Sequence, residues 1–243
     1  MVDMFSTLDR RIILDYEVKT LSDMHIGARE STAPVSVDNP VLKDSGGHPI
    51  VPGSSVKGVL RSELEKLLRA HLNGDEKAAK ERTAELFGGT IGKESYASSI
   101  KVRDAMSQTT KTLVRDGVRI DPKTRKASPR GRFDLEVVPK GVTFRGKIVI
   151  ENPGLGGKQY AKLGALLATL GFFNATNSSL GGASSRGYGE VEISITGMRE
   201  FTKEDYVKAN REGQPLDTRD WDRYIRDWQQ YMDSIANPRG DDV

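Results

Sequence analysis

The sequence predicts an α+β protein whose elements follow a ferredoxin-like split βαβ order, and three observations predict it. A period-two alternation marks an early strand, an amphipathic helix follows, and the second half runs strands, helix and closing strand. In the first strand Ile12, Leu14, Tyr16 and Val18 alternate with Ile13, Asp15, Glu17 and Lys19, the pattern of a strand buried on one face. Residues 27–47 are rich in Ser, Pro, Asp and Gly and read as a long loop. Pro52-Gly53 then breaks the chain, and Ser54 or Ser55 is expected to cap a helix over residues 55–71. That helix carries Val56, Val59, Leu60, Leu64, Leu67 and Leu68 on one side. A second helix is expected over 76–86, and a short strand over 100–105.

Segments 133–138 and 142–151 read as a strand pair turning at Pro139-Lys140-Gly141. Residues 158–173 form a helix whose small residues permit close packing, and 189–201 form the closing strand. From 218 to 236, Trp221, Tyr224, Ile225, Trp228, Tyr231 and Met232 recur at helical spacing, a packing surface for this domain or for a neighbouring copy. No internal repeat is present.

Composition narrows the function. The 243 residues suit one domain with insertions or two small ones. There is no cysteine, which excludes disulfides and thiolate metal sites, and with three histidines a structural zinc site is not expected. The first residues, MVDMFSTLDRR, lack an apolar signal core, and the most apolar stretch, 163–173, is too short to span a bilayer. A reducing, cytoplasmic setting without a membrane partner is the expectation. Charge is unevenly placed. Residues 106–132 hold eight cations against Asp116 and Asp121, a surplus of six in a chain of net charge +3, so the remainder carries −3. A basic patch on a mildly acidic body is the footprint of a nucleic-acid contact or of a solvated loop.

Two small-residue strings, VPGSSVKGVLR (51–61) and LGGASSRGYGEV (180–191), place hydroxyls and a cation where backbone can approach a phosphate. In the first, amides at a helix start lie near Lys57 and Arg61. In the second, Gly181, Gly182, Gly187 and Gly189 strip bulk from around Arg186 and Tyr188. A nucleotide-binding protein would also use a glycine loop, but no G-x-x-x-x-G-K-[ST] string occurs.

The order and wording of these strings resemble the RAMP superfamily of CRISPR proteins, and most of all the repeated backbone subunit of type III-A (Csm-type) effector complexes. The resemblance is carried by MHIGARE (24–30), SVDNPVLKD (36–44), HPIVPGSSVKGVLR (48–61), ELFGG (85–89), IKVRDA (100–105), VRIDPKTRKA (118–127) and the glycine loop. It implies a ferredoxin-like, RRM-like RAMP fold in one domain over 1–243. A lid loop (27–47), a helical insertion (74–99) and a basic thumb (106–142) would interrupt it, and a helical tail (202–243) would follow.

It implies a prokaryotic subunit, one of several copies set head-to-tail along a CRISPR guide RNA with other subunits of the effector, that cleaves complementary target RNA. The aspartate of SVDNPVLKD, Asp38, is the residue the resemblance assigns to cleavage, with a divalent cation, Mg2+ or Mn2+, as cofactor and Asp38 as its ligand. His25 and Gly27, Ser54, Ser55, Lys57 and Arg61, the thumb cations Arg125 and Lys126, and Gly182, Ser184, Ser185 and Arg186 would contact RNA. Pro122 stands where the family pattern has an arginine, leaving Lys123, Arg125 and Lys126 at the thumb tip. Asp44 only terminates a turn, and Arg103 is expected to pair with Asp104 or another acidic neighbour. Two rivals share the resemblance. A precursor-processing endoribonuclease would use His25 as a metal-independent acid–base, and a scaffold would hold guide RNA without cutting.

Overall fold

The structure, a computed structural model, describes residues 7–27 and 37–236. Strand β1 (Arg10–Thr20) alternates as its sequence requires, with Ile12, Leu14, Tyr16, Val18 and Thr20 buried. The short β2 (Ile50–Val51) leads into helix α1 (Gly53–His71), which buries Val56, Leu60, Leu64 and Leu68. Helix α2 (Glu76–Phe87) is capped by Asp75, whose side chain accepts from the Ala78 amide at 3.0 Å. A small hairpin, β3 (Gly89–Ile91) and β4 (Glu94–Tyr96), completes the insertion.

Strands β5 (Ile100–Val102) and β6 (Ala105–Ser107) follow, where one strand was expected; the break falls at Arg103-Asp104. The hairpin β7 (Leu113–Ile120) and β8 (Ala127–Val137) comes next, then β9 (Thr143–Glu151), α3 (Ala161–Ala175) and β10 (Val191–Thr202). A short α4 (Lys203–Val207), β11 (Gln214–Pro215) and α5 (Trp221–Ala236) end the described chain.

The main sheet runs β11-β10-β1-β9-β6-β2, with β5 also paired to β9, and every pairing is antiparallel. Taking β5 and β6 together as one interrupted strand, the units β1, α1, β5–β6, β9, α3 and β10 reproduce the ferredoxin-like order, with β1 central between β10 and β9. Close approaches hold it together. The Tyr16 ring lies over Gly146, where a Cβ would come within 2.6 Å, and its hydroxyl donates to the Arg103 carbonyl at 2.9 Å.

Two sequence expectations need correction. Strand 142–151 does not pair with 133–138. Both edges of β9 are taken, by β1 on one side and β5 and β6 on the other, so β8 pairs with β7 in a separate ribbon. The Pro139-Lys140-Gly141 turn is fastened to β1 instead: the Thr20 hydroxyl donates to the Pro139 carbonyl, and the Gly141 amide to Thr20. Second, neither Ser54 nor Ser55 caps α1. Pro52 holds the cap position, and the Asp104 carboxylate accepts from the Gly53 amide at 2.8 Å. Asp104 is therefore Gly53's partner and makes no ion pair with Arg103.

Of the two packing surfaces expected for the tail's aromatic stripe, the structure takes the one on its own chain. Tyr224, Trp228, Tyr231 and Met232 join the core, and Gly164 of α3 sits so close that a Cβ would meet the Tyr224 carbonyl at 2.1 Å. Among the described residues no helix is long and apolar enough to cross a membrane.

Candidate nucleic-acid interface

The glycine loop is built around His25. Its chain bends through Gly181 at φ +96°, where a Cβ would fall 2.4 Å from the His25 carbonyl, so only glycine fits. The Gly182 amide donates to that carbonyl at 2.8 Å. Beyond it a single 3-10 turn, Ser184–Arg186, is flanked by Ala183 and Gly187 at positive φ and leaves Ser184, Ser185 and Arg186 exposed. His25 also faces the Glu136 carbonyl through Nδ1 at 2.8 Å. A carbonyl only accepts, so Nδ1 carries a proton. The structure makes His25 the peg between the glycine loop and β8.

The lid residues from Asp38 to Lys43 are fastened along β8. The Asp134 amide donates to Asp38 Oδ2 at 3.0 Å, and the Asn39 amide to the Asp134 carbonyl at 3.1 Å. The Glu136 amide donates to the Asn39 carbonyl. Buried Glu136 takes the Val41 amide on Oε2 at 2.9 Å, and Thr112 and Lys43 on Oε1. Burial pushes this carboxyl up, but the bonds from Lys43, Thr112 and Val41 outweigh it and hold the group below the usual glutamate range. Gly27 bridges to Val41 at the other end of the loop. Lid residues 28–36, and tail residues beyond 236, lie outside the described residues. Asp44 closes a turn by accepting from the Gly46 and His48 amides, and the His48 amide is the main reason its carboxyl titrates low.

The segment expected as a thumb forms the β7–β8 ribbon. Its tip turns at Asp121, whose side chain accepts from the Lys123 and Thr124 amides, with Arg125 at φ +55°. Pro122 fits inside this turn, and Arg125 and Lys126 project into solvent beside it. Along β7, Val118 and Ile120 are about half exposed.

Thumb base, lid and glycine loop converge on one cleft of about 620 Å³. Arg115, Arg119, Arg132 and Arg186 line it, with Asn39, Phe133 and Tyr188. Arg115, Arg119 and Arg132 were legible as part of the basic segment but not as cleft residues, because their convergence with Arg186 depends on how the ribbon leans. Asp38, exposed, immediately precedes Asn39 at this cleft. The first anion string lies apart from it. Lys57 donates to Ser98 at 2.6 Å, and burial, then Arg61 and Lys101, lower its pKa. Arg61 packs against Gly89 and lines a separate groove with Ser62 and Arg69. The start of α1 is already bonded, Gly53 to Asp104 and Ser55 to the Pro52 carbonyl.

The sheet face away from the helices is laced with ion pairs. Arg11 and Lys101 pair with Glu151, Lys147 and Arg199 with Asp15, and Arg145 with Glu17. Among the described residues no group of three or more His, Cys, Asp or Glu side chains could hold a metal. Asp38 Oδ2 is engaged by an amide, so the residues fit a cation only as one carboxylate oxygen shared with phosphate and water, a pattern magnesium accepts.

A family model described as the RAMP superfamily matches residues 17–192. A Streptococcus thermophilus protein named CRISPR system Cms endoribonuclease Csm3 is 28% identical over 193 residues, 74% of this chain and 86% of its own. Proteins of the same name are similar in Methanothermobacter thermautotrophicus, 28% identical over 228 residues (81% and 89%), and in Methanocaldococcus jannaschii, 26% over 219 (77% and 80%).

Proposed function

Because this chain belongs to the RAMP superfamily, we infer that it is a guide-RNA-binding backbone subunit of a type III CRISPR effector and that it cuts the target RNA paired to the guide. The observation that supports this most is the convergence of the Asp38 lid, the thumb base and the glycine loop on one arginine-lined cleft. Its relatives carry the name endoribonuclease. In this reading base pairing supplies sequence choice, and the protein reads backbone and shape. Copies line up head-to-tail in a cytoplasmic ribonucleoprotein, since identical subunits on a directional strand cannot pair two-fold.

Cleavage runs as in-line attack of a ribose 2′-hydroxyl on the adjoining phosphorus. The new P–O bond closes a cyclic phosphate as the bond to the next nucleotide's 5′ oxygen breaks, and that oxygen takes a proton from solvent water and leaves as a hydroxyl. The Asp134 amide orients Asp38 through Oδ2, which directs Oδ1 to take the 2′-hydroxyl proton. Arg119, Arg132 and Arg186 hold the phosphates, with Ser184, Ser185 and Gly182 presenting loop hydroxyls and amides beside them. Arg125 and Lys126 reach the neighbouring stretch of duplex. Lys57 and Arg61 contact the guide away from the cleft, beyond Ser54 and Ser55, and Lys57 exchanges its Ser98 bond for phosphate. His25 and Gly27 shape the guide path from below. A divalent cation, Mg2+ or Mn2+, bound by Asp38 with phosphate oxygens would neutralise charge developing on the phosphate.

The test is Asp38→Ala in the assembled, guide-loaded complex. Target cleavage is expected to fall at least about a hundredfold, with target binding within a few-fold. A variant that still cuts at near wild-type rate in magnesium removes Asp38 from the chemistry. Cleavage that survives EDTA points instead to the metal-independent acid–base rival.

A further inference from the structure

We propose that Asp23 and Arg115 form a latch that fixes the angle of the thumb against the glycine loop and thereby sets where on the target the cut falls. The proposal rests on the effector reading above, because it concerns how that same cleft is held in shape.

Asp23 touches three separate pieces of the chain. Its Oδ2 accepts from Arg115 of β7 twice, from Nη2 at 2.8 Å and Nε at 3.2 Å. Its Oδ1 accepts from the Lys140 amide, just past β8, at 3.2 Å. Its carbonyl accepts from the Gly189 amide at 2.8 Å, where the glycine loop joins β10. One short residue therefore ties both strands of the thumb to the loop that carries Arg186. The thumb needs such a tie. It is a two-stranded ribbon outside the main sheet, and β7 is exposed along most of its length. A ribbon of that kind has little of its own to hold it at one angle.

The latch also sits where its position counts. Arg115 lines the cleft with Arg186 and Tyr188 across from it. Rotating the ribbon about its base would carry Arg119, Arg132 and Phe133 toward or away from the glycine loop. The lid follows, because Asp38 and Asn39 are bonded to Asp134 of β8. The angle of the thumb is thus the angle of Asp38. Arg115 and Asp23 act as positioning residues. The pair is partly exposed, with the arginine side chain half accessible, so its effect is bounded at that of a surface ion pair.

The test compares Asp23→Ala, Arg115→Ala and the exchanged double variant Asp23→Arg with Arg115→Asp, each in the guide-loaded complex. Both single variants are expected to slow cutting at the regular positions about two- to fivefold and to scatter the cleavage ends, and the exchange to bring the ends back toward their wild-type positions. A second readout does not need cleavage. The chain has no cysteine, so spin labels on cysteines placed at Thr124 and Ser194 report the thumb-to-sheet distance directly. Asp23→Ala should broaden that distance distribution at an unchanged unfolding midpoint.

A narrow, wild-type distribution in Asp23→Ala overturns the latch, as do unscattered ends. A lower salt slope of RNA binding in Arg115→Ala, with Asp23→Ala unchanged in every measurement, makes Arg115 a phosphate ligand and also overturns it. A wild-type complex that fails to cut at all counts against the effector reading, while the label distances still decide the latch.

Discussion

Glu136→Ala removes the acceptor that fastens the lid to β8, and its cost can be worked from the bonds it makes. The carboxylate is 7% exposed and takes the Val41 amide, the Thr112 hydroxyl and the Lys43 ammonium. A buried hydrogen bond to a charged group contributes about 1.5–3 kcal/mol. Lys43 keeps about a third of its side chain in water, so its pair adds about 0.5–1 kcal/mol. Recovered desolvation of the carboxylate offsets part of this, which leaves a net loss of about 2–3 kcal/mol. For a chain of this size that is a fall of roughly 5–10 °C in unfolding midpoint.

Glu136→Gln can keep its one carbonyl oxygen on the Val41 amide while its NH2 donates to the Thr112 hydroxyl oxygen, and it forfeits the charge and the Lys43 pair, so about 1 kcal/mol is expected. Thermal unfolding of the isolated subunit measures both, and amide exchange at Val41 reads the lid directly, rising at least tenfold in the alanine variant. An alanine variant with an unchanged midpoint and an equally protected Val41 amide would refute the fastening.

The remaining predictions follow from the same geometry. The advantage of wild type over Glu136→Gln should be complete above the unfolded glutamate pKa of about 4.3, and should vanish as pH falls through the lowered folded value, because the unfolded chain takes up that proton first; denaturation from pH 7 to 3 measures it. Gly181→Ala should destabilise by more than the roughly 1–2 kcal/mol of a left-handed alanine, because its Cβ meets the His25 carbonyl, whereas Gly187→Ala, with open space around it, should show that backbone cost alone; unfolding midpoints compare the two. Arg186→Ala should lower the salt slope of RNA binding by about one without changing sequence preference, as titrations at several salt concentrations would report.

Much of the fold was legible because its signals are local. The alternation from Ile12 to Val18 gives β1, and the apolar stripe of α1 and the aromatic spacing of α5 give two helices. What escaped was pairing. The segment 133–138 looks like a partner for 142–151 across a Pro-Lys-Gly turn, and only the occupancy of both β9 edges excludes it. The cap of α1 escaped for a related reason, since its acceptor, Asp104, lies 51 residues away in sequence. At the site, motif wording singled out Asp38, His25 and the glycine loop, and these come together around β8. It also singled out Lys57, whose ammonium is turned to Ser98. Glu136 and Asp23 carried no signal at all, because a lone acid becomes a hub only when three distant segments meet at it.

The paired charges on the uncovered sheet face have a consequence for how RNA arrives. Arg11, Lys101, Arg145, Lys147 and Arg199 there already lie against carboxylates of neighbouring strands, so the face projects little field beyond its surface. The unneutralised charge is concentrated at the thumb and the glycine loop. The molecule is therefore electrically lopsided, and a polyanion diffusing toward it is turned to the cleft before any contact is made. Encounters on the broad face are then brief, and ionic strength should act chiefly by slowing productive association.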